Sequence, residues 1–233
     1  MEHLLAAVVR ERDRDCKMSD HLDNHAVDAR IKISIGTDRQ SDADGMFYAP
    51  VALSFDHHRG LLLVVEYYNN RVQVFSCDDG FSFVSKLGEE GDQPGQLMNP
   101  SGLAIDHDHD RILIADNGND RMQSWSLSDQ SFLSCIGRRG SGDLEFNGPR
   151  ALAIDKHHHR IIIADSANHR LVFLSSIDLS FLFSIGGKRG SQPGEFYHTS
   201  GVAIDHDRHR IIVVDSSNHR VQVLSSIDGS FLF

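Results

Sequence analysis

Three observations predict an all-β fold made of repeated four-stranded sheets. A hexad returns four times, as EYYNNR at 66–71, DNGNDR at 116–121, DSANHR at 165–170 and DSSNHR at 215–220, its arginines 50, 49 and 50 residues apart. Fixed phrases surround it: PVALSFD, PSGLAID, PRALAID and TSGVAID upstream, and RVQVFS, RMQSWS, RLVFLS and RVQVLS downstream. Between the phrases lie short β-branched runs bounded by Asp, Asn, Gly and Ser, the composition of strands and tight turns. Four short strands in a period of this length make the blade of a β-propeller. A two-sheet sandwich does not explain the recurrence phrase by phrase, and the β-branched runs exclude a helical solenoid.

The second unit shows each element in order. Gly102–Asp106 is short and apolar and ends at the turn HDHD. The β-branched run from Arg111 follows as a second strand, and Arg121–Ser126 alternates as an outer strand with one wetter face should. Phe132–Ile136 completes the unit, and the Gly- and Pro-bearing loop GRRGSGDLEFNGPR leads to the next. In an up-and-down blade the turns after the first and third strands share one end of the disc. The hexad hairpins and the long inter-blade loops share the other.

The pattern P-x-G-(L/V)-A-I-D, then I-I-(I/V)-(A/V)-D-S-x-N-H-R, then F-x-x-x-I-G resembles the NHL repeat over about residues 31–233. The first unit departs from it, with Glu66 for the Asp and with Leu61 where the others have Arg111, Arg160 and Arg210. Residues 30–50 match the tail of a preceding unit, whereas residues 1–30 read as a divergent partial blade, a helix or a disordered segment. The resemblance implies six blades where four units are visible, which leaves a closed ring of four or part of a larger ring. It also implies a target-selecting module of the kind found in tripartite-motif ubiquitin ligases, binding protein or RNA. Any ligase activity would reside in a domain absent from this chain, because Cys16, Cys77 and Cys135 cannot form the two zinc sites of a RING.

Composition narrows the functions. The formal net charge of −10 disfavours a broad polyanion-binding surface and makes a protein partner a better expectation than RNA. Residues 149–198 nevertheless carry +2. Three scattered cysteines, the lack of a signal-peptide pattern and the lack of a long apolar run point to a reduced, cytoplasmic setting with no membrane contact.

Within the hexad the residue before the Arg varies freely among Asn, Asp and His, so a catalytic or metal-binding role for it is disfavoured. The persistent residues read as hairpin architecture: Glu66, Asn69 and Arg71; Asp116, Asn119 and Arg121; Asp165, Asn168 and Arg170; Asp215, Asn218 and Arg220. The acid pairs with the Arg across the turn, worth roughly 0.2–1 kcal/mol if exposed, and the Asn closes the turn through backbone bonds or a left-handed conformation. Nine of the 15 histidines fall in the turns at the opposite end, where neighbouring turns are expected to lie too far apart to share a metal ion. No cofactor or small-molecule substrate is expected. A propeller lyase or lactonase, the enzymatic alternative, would need acid/base or metal-binding groups on the innermost strands, and none recurs there. The long loops are the remaining candidates for partner binding, through Phe47, Tyr48, Arg138, Arg139, Arg150, Lys188, Arg189, Tyr197 and His198.

Overall fold

The computed structural model describes residues 34–233, apart from Asp38 and Asp79; the N-terminal segment read as partial blade, helix or disorder lies outside the described residues. Ser34–Phe233 forms one compact unit, a four-blade β-propeller. Blade one contains β1 (Pro50–Asp56), β2 (Leu61–Glu66), β3 (Arg71–Ser76) and β4 (Ser82–Leu87). Blade two contains β5 (Gly102–Asp106), β6 (Arg111–Asp116), β7 (Arg121–Ser126) and β8 (Phe132–Ile136). Blade three follows with β9 (Pro149–Asp155), β10 (Arg160–Asp165), β11 (Arg170–Ser175) and β12 (Phe181–Gly186). Blade four pairs β13 (Thr199–Asp205), β14 (Arg210–Asp215) and β15 (Arg220–Ser225), with a single bridge from Leu224 to Phe231 in the place of its outermost strand.

All strand pairs are antiparallel and follow chain order, as an up-and-down blade requires. The inner strands stand side by side, β1 against β5, β5 against β9 and β9 against β13. That approach is close at Gly102, where an added Cβ would lie 2.3 Å from the backbone oxygen of Arg150. The recurrent Ile-Gly phrase has a similar cause. Gly137 (φ 106°) has a left-handed backbone, and its missing side chain leaves room for the ring of Phe146.

The hydrophobic core consists of layers between blades. Leu63, Val65 and Val72 of blade one meet Ile112, Ile114 and Trp125 of blade two. Leu113 and Met122 then meet Ile161, Ile163 and Leu174, and Ile162, Leu171 and Phe173 meet Ile211, Val213 and Leu224. One residue of each inter-blade loop plugs its layer: Leu97, Phe146 and Phe196 are fully buried. On the far side of blade four, the corresponding Val214 and Val221 are exposed.

Polar bonds seal these seams. Arg111 donates to its own blade's Asp106 and to the carbonyl of Ser176 in blade three, and Arg160 likewise to Asp155 and to Ser226 in blade four. The departure at Leu61 now has a reason. Leu127 occupies the position of Ser176 and Ser226, and Leu61 packs against the layer that contains it. The first seam thus replaces an arginine-to-carbonyl bond with an apolar contact.

Candidate recognition face

The hexad is a buried clamp on the loop before it. Asp165 is 0% exposed and Arg170 is 7% exposed, so the pair expected across the hairpin is an interior one and the value for an exposed pair does not apply. One Asp165 oxygen accepts the N–H of Asn147 at 2.7 Å, and the other accepts Asn168 Nδ2 and Arg170 Nε, both at 2.8 Å. The Arg170 guanidinium also donates to the carbonyls of Ser141, Gly142 and Glu145, and Asn168 donates to that of Gly140. Hexad and loop thereby become one piece. Arg71, Arg121 and Arg220 repeat the scheme on the loops beginning at Asp42, Asp92 and Ser191. Burial raises the Asp165 carboxyl above the ordinary carboxylate range despite the bonds from Asn147, Asn168 and Arg170.

Sequence reasoning missed one member of the clamp. Gln73, Gln123 and Gln222 are buried and donate to the loop carbonyls of Met46, Gln96 and Glu195. The third blade has Val172 there. The recurrent Gln two residues after the hexad arginine was the available signal.

The variable hexad residue also has a shared task. The left-handed conformation falls on it and not on the Asn: Asn70, Asp120, His169 and His219 have φ of 52°, 52°, 56° and 53°. Asn, Asp and His are the residue types that tolerate this region best after glycine. From there the first three reach the next blade. Asn70 accepts the N–H of Asn99 at 2.8 Å, Asp120 that of Gly148 at 2.7 Å, and His169 Nδ1 that of His198 at 3.2 Å. An acceptor on a left-handed residue is what the site demands, and three side chains meet that demand.

At the opposite end the histidine turns are closer than expected. The rings of His58 and His107 are 4.8 Å apart, and those of His157 and His206 are 5.1 Å apart, each pair spanning two blades. The expectation that neighbouring turns stand too far apart is therefore corrected. His109 and His158 instead bond Asp106 and Asp155. Burial pushes the Asp155 carboxyl up, but Arg160 and His158 outweigh it and hold the group below its ordinary range. Among the described residues, no group of three or more His, Cys, Asp or Glu side chains converges to hold a metal ion.

The loop candidates divide into three kinds. Phe47 occupies the plug position of Leu97, Phe146 and Phe196 and packs 5.6 Å from Phe75, so it is a packing residue. The Tyr48 ring lies tilted against that of Tyr68, 4.8 Å between centres, in the acidic first blade. Arg138, 81% exposed, is paired with Glu145 at 2.9 Å, and Lys188 lies 3.7 Å from Glu195. Arg139, Arg150 and Arg189 are exposed and have no ion-pair partner among the described residues. Arg189 lies over the Tyr197 ring at 3.9 Å, and Tyr197, His198 and His169 contact one another at 4.9–5.6 Å between ring centres.

Up-and-down blades joined by buried acid-Asn-Arg clamps make the chain a β-propeller. Comparison with known proteins agrees: residues 196–224 match the NHL repeat, and residues 54–141 match a family described as a 6-bladed beta-propeller. No curated protein matches the chain. Among solved structures, the Kuenenia stuttgartiensis hydrazine synthase shares its fold with a TM-score of 0.63 at 11% identity, over 85% of this chain and 51% of that one. A structure titled U3-55K gives 0.62 at 14% identity, over 79% and 51%. The chain thus spans about half the length of these structures, and the likeness is one of fold. No helix among the described residues is long and apolar enough to cross a membrane.

Proposed function

We propose that this chain is a non-catalytic binding scaffold that presents its loop face to a protein partner. The observation that carries the reading is the clamp. Each inter-blade loop is fixed by the same buried acid, Asn and Arg, while the side chains it displays change from Glu89 and Glu90 to Arg138 and Arg139 and then to Lys188 and Arg189. A rigid frame with variable outward residues suits recognition. In a thiol-reducing compartment such as the cytoplasm, the free Cys77 and Cys135 would need no pairing. Within a larger assembly such a face would select targets for a ubiquitin ligase, the reaction itself belonging to another polypeptide.

Affinity capture from cells that express the protein tests this. A chain carrying Ala at Tyr48, Arg139, Arg189 and Tyr197 should lose the bound proteins that wild type retains. A chain altered at the opposite end, with Ala at His57, His58 and Asp108, should keep them. Equal retention by both variants contradicts the proposal.

A further inference from the structure

We propose that the loop-face end of blades three and four binds the carboxylate side chains of an acidic peptide segment, through Arg150 and Arg189 with Tyr197, His198 and His169. This deepens the scaffold reading above and rests on it.

Three independent observations converge on the site. The first is uncompensated charge. Nine arginines in the described residues are paired with carboxylates (Arg59, Arg138 and Arg208 among the exposed or turn residues, the rest in clamps and seams), whereas Arg150 and Arg189, like Arg139, are exposed and have no ion-pair partner among the described residues. Their fields reach a common point. Burial first, and then the neighbouring His169 imidazole and the positive charges of Arg150 and Arg189, hold the His198 imidazole below its ordinary pKa. A site in which cations already oppose one another favours an anion.

The second is preorganisation. Arg189 is held over the Tyr197 ring, the Tyr197 N–H is bonded to the buried Asp215 at 2.7 Å, and the His198 N–H is held by His169. The Arg189 guanidinium, fixed in this way, presents a planar pair of donors that matches a carboxylate. Little side-chain freedom is left to lose on binding.

The third is unsatisfied polarity. Thr199 Oγ1 and Ser166 Oγ are buried without a hydrogen-bond partner, in residues 0% and 3% exposed. Thr199 follows His198 directly, and the turn containing Ser166 packs against β13. In the preceding seam the corresponding positions are Asn117 and Pro149, which are bonded to each other. The seam between blades three and four therefore holds two hydroxyls that the chain itself leaves unpaired.

Charge and shape separate an acidic peptide from RNA. RNA recognition pairs cations with free aromatic faces for stacking. Tyr197 already has Arg189 across one face, and the Tyr48–Tyr68 pair lies in blade one beside Asp42 and Asp44. A net charge of −10 adds a further cost for a long polyanion.

The test is fluorescence anisotropy on the full chain with three labelled probes: a peptide of about eight residues rich in Glu, its Gln counterpart, and a single-stranded RNA of similar length. The Glu peptide should bind at least about tenfold more tightly than the Gln peptide and than RNA at low ionic strength, and weaken as salt screens the site. The pair of changes Arg150→Glu and Arg189→Glu should cost at least about tenfold, a loss of about 1.4 kcal/mol. Arg208→Glu, at an exposed arginine of the opposite end already paired with Asp205, should change affinity less than about twofold. Arg150→Ala with Arg189→Ala, checked for an unchanged thermal midpoint, guards against misfolding. Equal binding of the Glu and Gln peptides, tighter binding of RNA, or indifference to the double change overturns the proposal. If those results coincide with capture that still depends on the loop face, the anion site alone fails and the scaffold stands.

Discussion

His169 Nδ1 accepts the backbone N–H of His198 across the seam between blades three and four at 3.2 Å, where the two preceding seams use Asn70 and Asp120. A protonated imidazole has no free lone pair with which to accept that bond. His198 is itself held below its ordinary pKa by burial and by His169, Arg150 and Arg189, and His107 by burial and then by His58, Lys156 and Arg59 against the opposing pull of Asp56. For such a base the unfolded chain takes up protons first as pH falls. Stability should therefore decline from about pH 6.5, the ordinary imidazole value, down to the lowered folded values. Urea midpoints at about pH 8 and pH 5.5 measure the decline. His198→Asn, which restores the residue found at Asn99, should flatten it. A wild-type midpoint that rises on acidification contradicts this account of the seam.

The clamp makes a mutational prediction at Asp165. Replacing it with Asn leaves the Arg170 guanidinium buried without its carboxylate, and the loss should be about 3–5 kcal/mol. Chemical denaturation of Asp165→Asn against wild type reads it. A change under about 1 kcal/mol would mean that the pair adds little to the loop anchor.

Gly102 tests the approach of the inner strands. An alanine there places a methyl group 2.3 Å from the Arg150 carbonyl oxygen. Gly102→Ala should destabilise by about 1–3 kcal/mol through overpacking. Its neighbour Ser101→Ala loses hydroxyl bonds to the Pro149 and Arg150 carbonyls and should cost about 1 kcal/mol. A neutral Gly102→Ala would place the strands further apart than described.

Asp178 and Asp228 occupy equivalent exposed turns, and hydroxyl and backbone bonds from Ser180 and Ser175, and from Ser230 and Ser225, lower both carboxyls to about 2. Because the folded values lie below the unfolded one, the stabilisation is present above about pH 3.9 and is lost as pH falls through about 2. Carbon-detected NMR titration should find both midpoints well below the ordinary aspartate value. Ser180→Ala should raise that of Asp178 and leave Asp228 unmoved.

The repeat made the blades legible from sequence, because strand spans follow from β-branched runs and turn chemistry. Gly102–Asp106, Arg121–Ser126 and Phe132–Ile136 coincide with β5, β7 and β8. What the hexad does was only half legible. Asp165 and Arg170 are neighbours across a turn, but the other acceptors of Arg170 lie 25 to 29 residues upstream, so burial of the pair depends on a tertiary contact. The exchange of Asn70, Asp120 and His169 argued against a catalytic or metal-binding role at that position, but their common role needed the left-handed backbone to be seen. Among the loop residues, the separation of Arg138 from Arg189 came from Glu145, seven positions further on, folding back to one and not the other. Composition alone gives all these cations equal weight.

Buried hexad carboxylates hold the recognition loops rigid, and amide hydrogen exchange reads that rigidity at single residues. The N–H groups of Tyr48, Met98, Asn147 and Tyr197 are bonded to Glu66, Asp116, Asp165 and Asp215 at 2.7–2.9 Å. These four loop amides should exchange as slowly as strand amides, and Asp165→Asn should release that of Asn147 first. Exchange of all four at the rate of unstructured loop would contradict the clamp.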